Sequence, residues 1–228
     1  MKIKNMIIYS LYFVAFISLG YAIYIGDCMA IIISVLTILA FLLVHFIIKS
    51  FKIEVPFLLI LFIYIFLICA GILGENFCFY SVYNWWDDVL HFSFGFMCSY
   101  ICFLFFRKFI KTNSSSVLLI ALLFSFCSSI SLGVIWEFFE FSIDKYLGFD
   151  MQKDTLVDSF NTTYFNSDNI VIKVDDISKT RIYKDKNDVY IKEGYLDIGL
   201  YDTVSDLFLA TSGAFLCSMF LFYKKRKV

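Results

Sequence analysis

The sequence predicts an all-α polytopic membrane protein, with six transmembrane helices and a small β-containing extracytoplasmic insert between the fifth and sixth. Three observations predict it. The 228 residues are 61% hydrophobic with mean hydropathy +0.80, whereas a soluble domain is about half apolar and a quarter charged. Six runs reach the ~20 apolar residues that a spanning helix needs. One polar tract, residues 144–199, interrupts this pattern and carries 11 of the 20 acidic residues and 8 of the 19 basic ones. The same composition excludes a disordered chain and argues against an ordinary cytosolic enzyme. With a net charge of −1 there is no basic surplus for phosphate contacts, so nucleic acid is excluded as a partner.

The first span is predicted over 6–25. Met1-Lys2-Ile3-Lys4 precedes it as in a signal peptide, but no small-residue cleavage site follows, so the span reads as uncleaved. Gly26-Asp27 makes the turn into the second span, 29–48, and Lys49 to Glu54 the next loop. In the third span, 55–74, Pro56 sits in the first turn, where its missing N–H is harmless, and Gly71 and Gly74 close the helix. The fourth, fifth and sixth spans are predicted over 86–106, 117–142 and 200–223. The chain then divides into 1–143 (five spans), 144–199 (the insert) and 200–228 (the sixth span with a basic tail).

Charge sets the orientation. Outside the insert, the bases lie at the N-terminus (Lys2, Lys4), in the second-to-third loop (Lys49, Lys52), in the fourth-to-fifth loop (Arg107, Lys108, Lys111) and at the C-terminus (Lys224 to Lys227). Six crossings put all of these on one side. Cytoplasmic loops carry the Lys/Arg excess, so both termini are predicted to be cytoplasmic and the insert external. The acids outside the insert fall toward the opposite side, with Glu54 as the exception.

Within the insert, Ile170 to Val174, Thr180 to Tyr183 and Val189 to Lys192 are β-rich or alternating, and the polar turn Lys184 to Asp188 predicts a hairpin between the last two. The seven cysteines show neither CxxC nor zinc-like spacing. Cys28 and Cys78, near the predicted outer face, are placed so that they could pair, though nothing in the sequence demands it.

The chemistry-bearing residues gather at the outer ends of the last three spans. The fourth span begins Trp86-Asp87-Asp88-Val89-Leu90-His91, the fifth ends Trp136-Glu137-Phe138-Phe139-Glu140, and the sixth begins Tyr201-Asp202-Thr203-Val204-Ser205-Asp206. Asp87 and His91 (i,i+4), Glu137 and Glu140 (i,i+3), and Asp202 and Asp206 (i,i+4) each share a helical face. Those faces continue inward as small residues: Gly95-Ser99 below His91, Ser125-Ser129-Gly133 below Glu137, and Ala210-Ala214-Ser218 below Asp206. Small rows let membrane helices approach closely, so the acids are expected to converge in one pocket.

Carboxylates near a bilayer face inward and mark function. Crowded together they need a neutralising cation or bound protons. Oxygen ligands with one imidazole suit a divalent ion such as Ca²⁺, Mg²⁺, Mn²⁺ or Zn²⁺. Asp87, His91, Glu137, Glu140, Asp202 and Asp206 are therefore the candidate metal ligands. Asp88, off the Asp87 row, reads as solvated. The same groups could do general acid/base work on a lipid headgroup or peptidoglycan precursor, or could simply be solvated groups and interhelical glue. His45, with no acid near it in sequence, reads as an interior histidine. Trp85, Trp86 and Trp136 read as interfacial anchors, and the 29 phenylalanines as lipid-facing bulk.

As an ordered set, Asp87-x3-His91-Phe92, Glu137-x2-Glu140 and Asp202-x3-Asp206 with Gly213-Ala214 resembles the bacterial YjdF-like inner-membrane family and, more distantly, the VanZ-like proteins. The resemblance covers about residues 85–220. The chain departs from the VanZ-like pattern at Glu140, where that pattern has Gln, and at Ala210, where it has Asn. Its long insert also replaces a short loop. The resemblance implies a multi-pass protein of the bacterial plasma membrane and brings no defined activity with it.

Three functions follow as expectations. The first is a cation-holding outer pocket that acts on, or recognises, an envelope lipid or lipid-linked cell-wall component, with membrane lipid as its partner. The second is a proton- or cation-coupled carrier; the gathering of acids at one end and the absence of repeats count against it. The third is a structural protein that binds a partner through its insert. For an enzyme, the proposed nucleophile is a metal-activated water, because no Ser-His-Asp spacing is arguable.

Overall fold

The computed structural model describes residues 2–110, 114–184 and 187–226. Lys111, Lys227 and the centre of the 184–188 turn lie outside the described residues. Contacts divide the chain into two units, Met1–Ile135 with Asp206–Val228, and Trp136–Ser205. Among the described residues, six helices are long and apolar enough to cross a membrane. Helices are the expected solution, because a spanning segment must satisfy its backbone groups internally.

In the first unit, α1 (Lys2–Ile25) and α2 (Cys28–Phe51) form a hairpin. Gly26 turns the chain at φ +74°, a region open to glycine. Asp27 caps α2, its carboxylate accepting from Ala30 N at 3.0 Å. Asp27→Ala is expected to cost about 1 kcal/mol, measured as a lower denaturation midpoint in detergent. Lys52, in the left-handed region at φ 48°, ends α2.

The third span has an α-helical part, α3 (Phe57–Leu67), and a π-helical part (Ile68–Asn76). The sequence does not announce this change. The wider coil needs small residues where neighbours press in: a Cβ on Gly71 would meet the Thr37 hydroxyl, and one on Gly74 the ring of Tyr80. At its end, Asn76 Nδ2 donates to Ser18 Oγ at 3.1 Å and Ser34 Oγ at 3.0 Å, tying α1, α2 and the π segment together. Such interhelical polar bonds act as glue in lipid. Tyr12, Phe41 and Tyr64 stack further in, and the Tyr64 hydroxyl donates to Phe41 O.

A short helix, α4 (Phe79–Val82), leads into α5 (Trp86–Phe109); α6 is Ser115–Leu147 and α7 Leu200–Arg226. The fifth span is thus longer than the predicted 117–142. Leu59, Ile63, Met97, Phe103, Leu122, Cys217 and Leu221 form the apolar core. Two expectations are corrected. Phe41 and Phe103 are fully buried core residues rather than lipid-facing bulk, because stacking on Tyr12 and Tyr64 places Phe41 between helices. His45 is exposed on α2 rather than interior, because the face of α2 that packs carries Ala30, Ser34, Thr37 and Phe41. All seven cysteines, Cys28 and Cys78 included, are free.

The second unit holds three two-stranded antiparallel ribbons. β4 (Thr180–Ile182) pairs with β5 (Val189–Ile191), the predicted hairpin. β2 (Phe160–Thr162) pairs with β3 (Ile172–Val174), and β1 (Thr155–Val157) with β6 (Tyr195–Asp197). Asp144, near the end of α6, accepts from Met151 N at 2.6 Å and Gln152 N at 2.8 Å, fixing the chain where it leaves the helix. Asp144→Ala is expected to cost about 2 kcal/mol, seen as faster hydrogen exchange at those two amides.

Around the exposed Asp154, desolvation first, then the charges of Asp150, Asp197 and Asp144, push its carboxyl above the ordinary range. A raised carboxyl penalises the charged folded state, so this penalty is present at neutral pH and fades in acid. Asp154→Asn should therefore stabilise the insert at pH 7 and converge with wild type at low pH.

Candidate functional site

α5, α6 and α7 meet through their small rows. A Cβ on Gly95 would fall on the Ala210 carbonyl, and one on Gly213 on the Phe92 carbonyl, so the backbones of α5 and α7 are in contact. Ser129 Oγ donates to Gly95 O at 2.8 Å, binding α6 to α5 at the same level. Gly133 faces Leu207 and Ala210 at ordinary contact distance. Small residues make this approach possible; in lipid, packing and hydrogen bonds rather than hydrophobic burial hold helices together.

One turn from Gly95 on α5 is His91, and one turn from Ala210 on α7 is Asp206. Both are buried, at 7% and 2% exposure. His91 Nε2 lies 3.5 Å from Asp206 Oδ2 and 3.5 Å from Asp87 Oδ1, so one ring nitrogen faces two carboxylates from two helices. Asp87 is half-buried in the first turn of α5, where the helix dipole favours an acid. Asp88 is exposed, as expected.

On α6, Glu137 comes one turn after Gly133 and is buried at 4% exposure; Glu140 is buried at 6%. Glu140 Oε1 accepts from Trp136 Nε1 at 2.8 Å. Trp136 thus positions a carboxylate as well as sitting near the end of the span, a role its i,i+4 spacing from Glu140 could have revealed. Asp202 is half-buried, and its Oδ2 accepts from Lys153 N at 2.9 Å. Nearby, Gln152 Nε2 donates to Thr203 Oγ1 at 2.5 Å. Asp202 therefore fastens the start of the insert to α7, a structural task the sequence did not suggest.

A family model described as "Predicted membrane protein (DUF2238)" matches residues 5–227, and the chain belongs to that family. No curated protein and no solved structure matches the chain.

Proposed function

We propose that this DUF2238 protein holds a divalent cation among α5, α6 and α7 and uses it to recognise or process an envelope lipid or lipid-linked cell-wall component. The observation that carries the reading is His91 Nε2 at 3.5 Å from both Asp87 and Asp206. Ligands of a tetrahedral ion with bonds of about 2.0–2.1 Å stand about 3.4 Å apart, so His91 stands from each carboxylate at the spacing of two ligands on one ion. Helix continuity supports adding Glu137, the next residue outward on the row whose Ser129 and Gly133 pack at the Gly95–Ala210 level. In further support, Asp87 and Asp206 themselves offer ligand atoms within 4.8 Å of each other.

The six candidates then differ in role. His91, Asp206, Asp87 and Glu137 are the proposed inner ligands. Glu140, held by Trp136, and Asp202, held by Lys153 N, steady the second layer. A bound ion would offer a phosphate-bearing headgroup a positive partner and would lower the pKa of a coordinated water. The ordered acids resemble those of YjdF-like proteins, which supports treating them as one site.

The proposed setting is a bacterial inner membrane with both termini cytoplasmic and the insert outside, on the strength of the Lys/Arg asymmetry. It predicts that a membrane-impermeant maleimide labels the exposed Cys28 and Cys78 in intact spheroplasts, while a cysteine introduced at Lys52 is labelled only after lysis. The reverse pattern would invert the topology. The cation is tested by melting the detergent-purified protein in EDTA and with Mn²⁺, Zn²⁺, Mg²⁺ or Ca²⁺. An ion at a hundred times its Kd should stabilise the fold by about 2.7 kcal/mol; identical melting under all conditions would reject the site.

A further inference from the structure

Arg107, Lys108 and Lys111 lie at or just beyond the C-terminal end of α5, and Lys224 to Lys227 at that of α7, while residues 89–136 and 207–228 contain no acid. His91 meets Asp206 near the starts of these helices and Tyr100 meets Lys224 near their ends, so the two run parallel and the bases share one side. By the Lys/Arg asymmetry that side carries one acid, Glu54, which lies in the second-to-third loop. Countercharge for the ends of α5 and α7 is therefore not supplied by either helix.

Lys224 marks where such a charge would sit. A lysine at the end of a span ordinarily extends its ammonium toward water. The Lys224 Nζ instead turns back along α7, 5.6 Å from the ring centroid of Phe220 one turn earlier and 3.5 Å from the hydroxyl of Tyr100 on α5. Tyr100 is buried, nine residues or about 14 Å of helix before the end of α5 at Phe109. Its ring packs on Phe220 with centroids 6.3 Å apart, and Phe220 packs on Phe96 at the same distance, so the lysine lies against an aromatic wall shared by α5 and α7. The contact with Tyr100 is longer than a typical hydrogen bond and its acceptor is neutral. Among the described residues no carboxylate pairs with this ammonium. The phenol oxygen accepts from Lys224, which leaves its own O–H to donate. An ammonium and a phenol side by side suit a phosphate, and the exposed Leu216 and Phe220 on the same stripe of α7 suit an anion that brings hydrocarbon with it.

We propose that Lys224 and Tyr100 hold the phosphate of an anionic phospholipid, in the leaflet that meets the C-terminal ends of α5 and α7, with the ammonium and the phenol O–H both donating to phosphate oxygens. Basic clusters beside a span attract anionic lipid in general; the Tyr100 hydroxyl gives this one a fixed second donor. The site is separate from the acids near the other ends of the same helices and does not rest on the cation.

The test is native mass spectrometry of the full-length protein in detergent with EDTA, titrated with phosphatidylglycerol or with phosphatidylcholine of the same chains. Wild type should bind phosphatidylglycerol several-fold more tightly. Lys224→Met should remove that preference and Lys224→Arg should keep most of it; Lys224 is exposed, so both should melt as wild type does. Lys49→Met, which removes the same charge from an exposed position in the last turn of α2, should leave the preference intact. Tyr100→Phe, which deletes one oxygen, should lower affinity for phosphatidylglycerol and not for phosphatidylcholine. Equal affinity of wild type for the two lipids, or equal losses in Lys224→Met and Lys49→Met, would overturn the proposal. A Tyr100→Phe variant that binds both lipids as wild type does would overturn the role of the phenol. Displacement of phosphatidylglycerol by equimolar inorganic phosphate would assign the site to a soluble anion and overturn the lipid. With EDTA present throughout, none of these outcomes bears on the cation.

Discussion

Gly95→Val should destabilise the helical unit by about 3 kcal/mol or more, the upper end of overpacking costs. The first atom added would land on the Ala210 carbonyl, which is backbone and cannot swing aside. α5 and α7 would have to part. That movement would stretch the Ser129 Oγ–Gly95 O bond of 2.8 Å and draw His91 from Asp206. Loss of stability and loss of any metal effect should therefore appear together. Gly133→Ala is the contrast: its added Cβ would sit 3.7 Å from Leu207 and 3.8 Å from Ala210, ordinary contacts. It should be neutral, or stabilising by about 0.5–1 kcal/mol because alanine favours a helix. Melting curves of both variants in the same detergent check the pair, and equal destabilisation would mean that α5 and α7 do not pack as described.

The second large effect is at Asp206. Asn is nearly the same size and shape, so Asp206→Asn keeps the packing at this 2%-exposed position while removing a charge beside His91. If Asp206 is an inner ligand, metal affinity should fall by more than the roughly 10–100-fold typical of outer-layer changes, and the metal-dependent rise in melting temperature should vanish. Asp202→Asn should lose less affinity, since its carboxylate already accepts from Lys153 N. Asp88→Asn should leave affinity unchanged, because that side chain is exposed. Titration calorimetry on the three variants checks the order; equal affinities would remove Asp206 from the ligand set.

What the sequence made legible follows from the length scale of each signal. The spans are legible because burial in lipid requires long apolar runs. The close approach of α5, α6 and α7 is legible because Gly95, Ser129, Gly133 and Ala210 repeat at helical spacing beneath the acids. The β4–β5 hairpin is legible because its turn is local. β1 pairs with β6 across some forty residues, Thr155 opposite Asp197, and no local pattern encodes so distant a partner. The π-helical stretch has no local signal, and the closeness of Thr37 and Tyr80 to Gly71 and Gly74 arises only after folding. Asp202 and Glu140 read as two more acids of one cluster. In the structure Glu140 accepts from Trp136 Nε1 and Asp202 from Lys153 N, local bonds that their acid-to-acid spacing does not encode.

The most direct test of the cation is elemental analysis of detergent-purified protein after dialysis against metal-free buffer, wild type beside the double variant His91→Ala/Glu137→Ala. The account predicts close to one divalent ion per wild-type chain and none in a double variant that still melts cooperatively. Wild-type protein that retains no ion, or a double variant that retains as much as wild type, would contradict it.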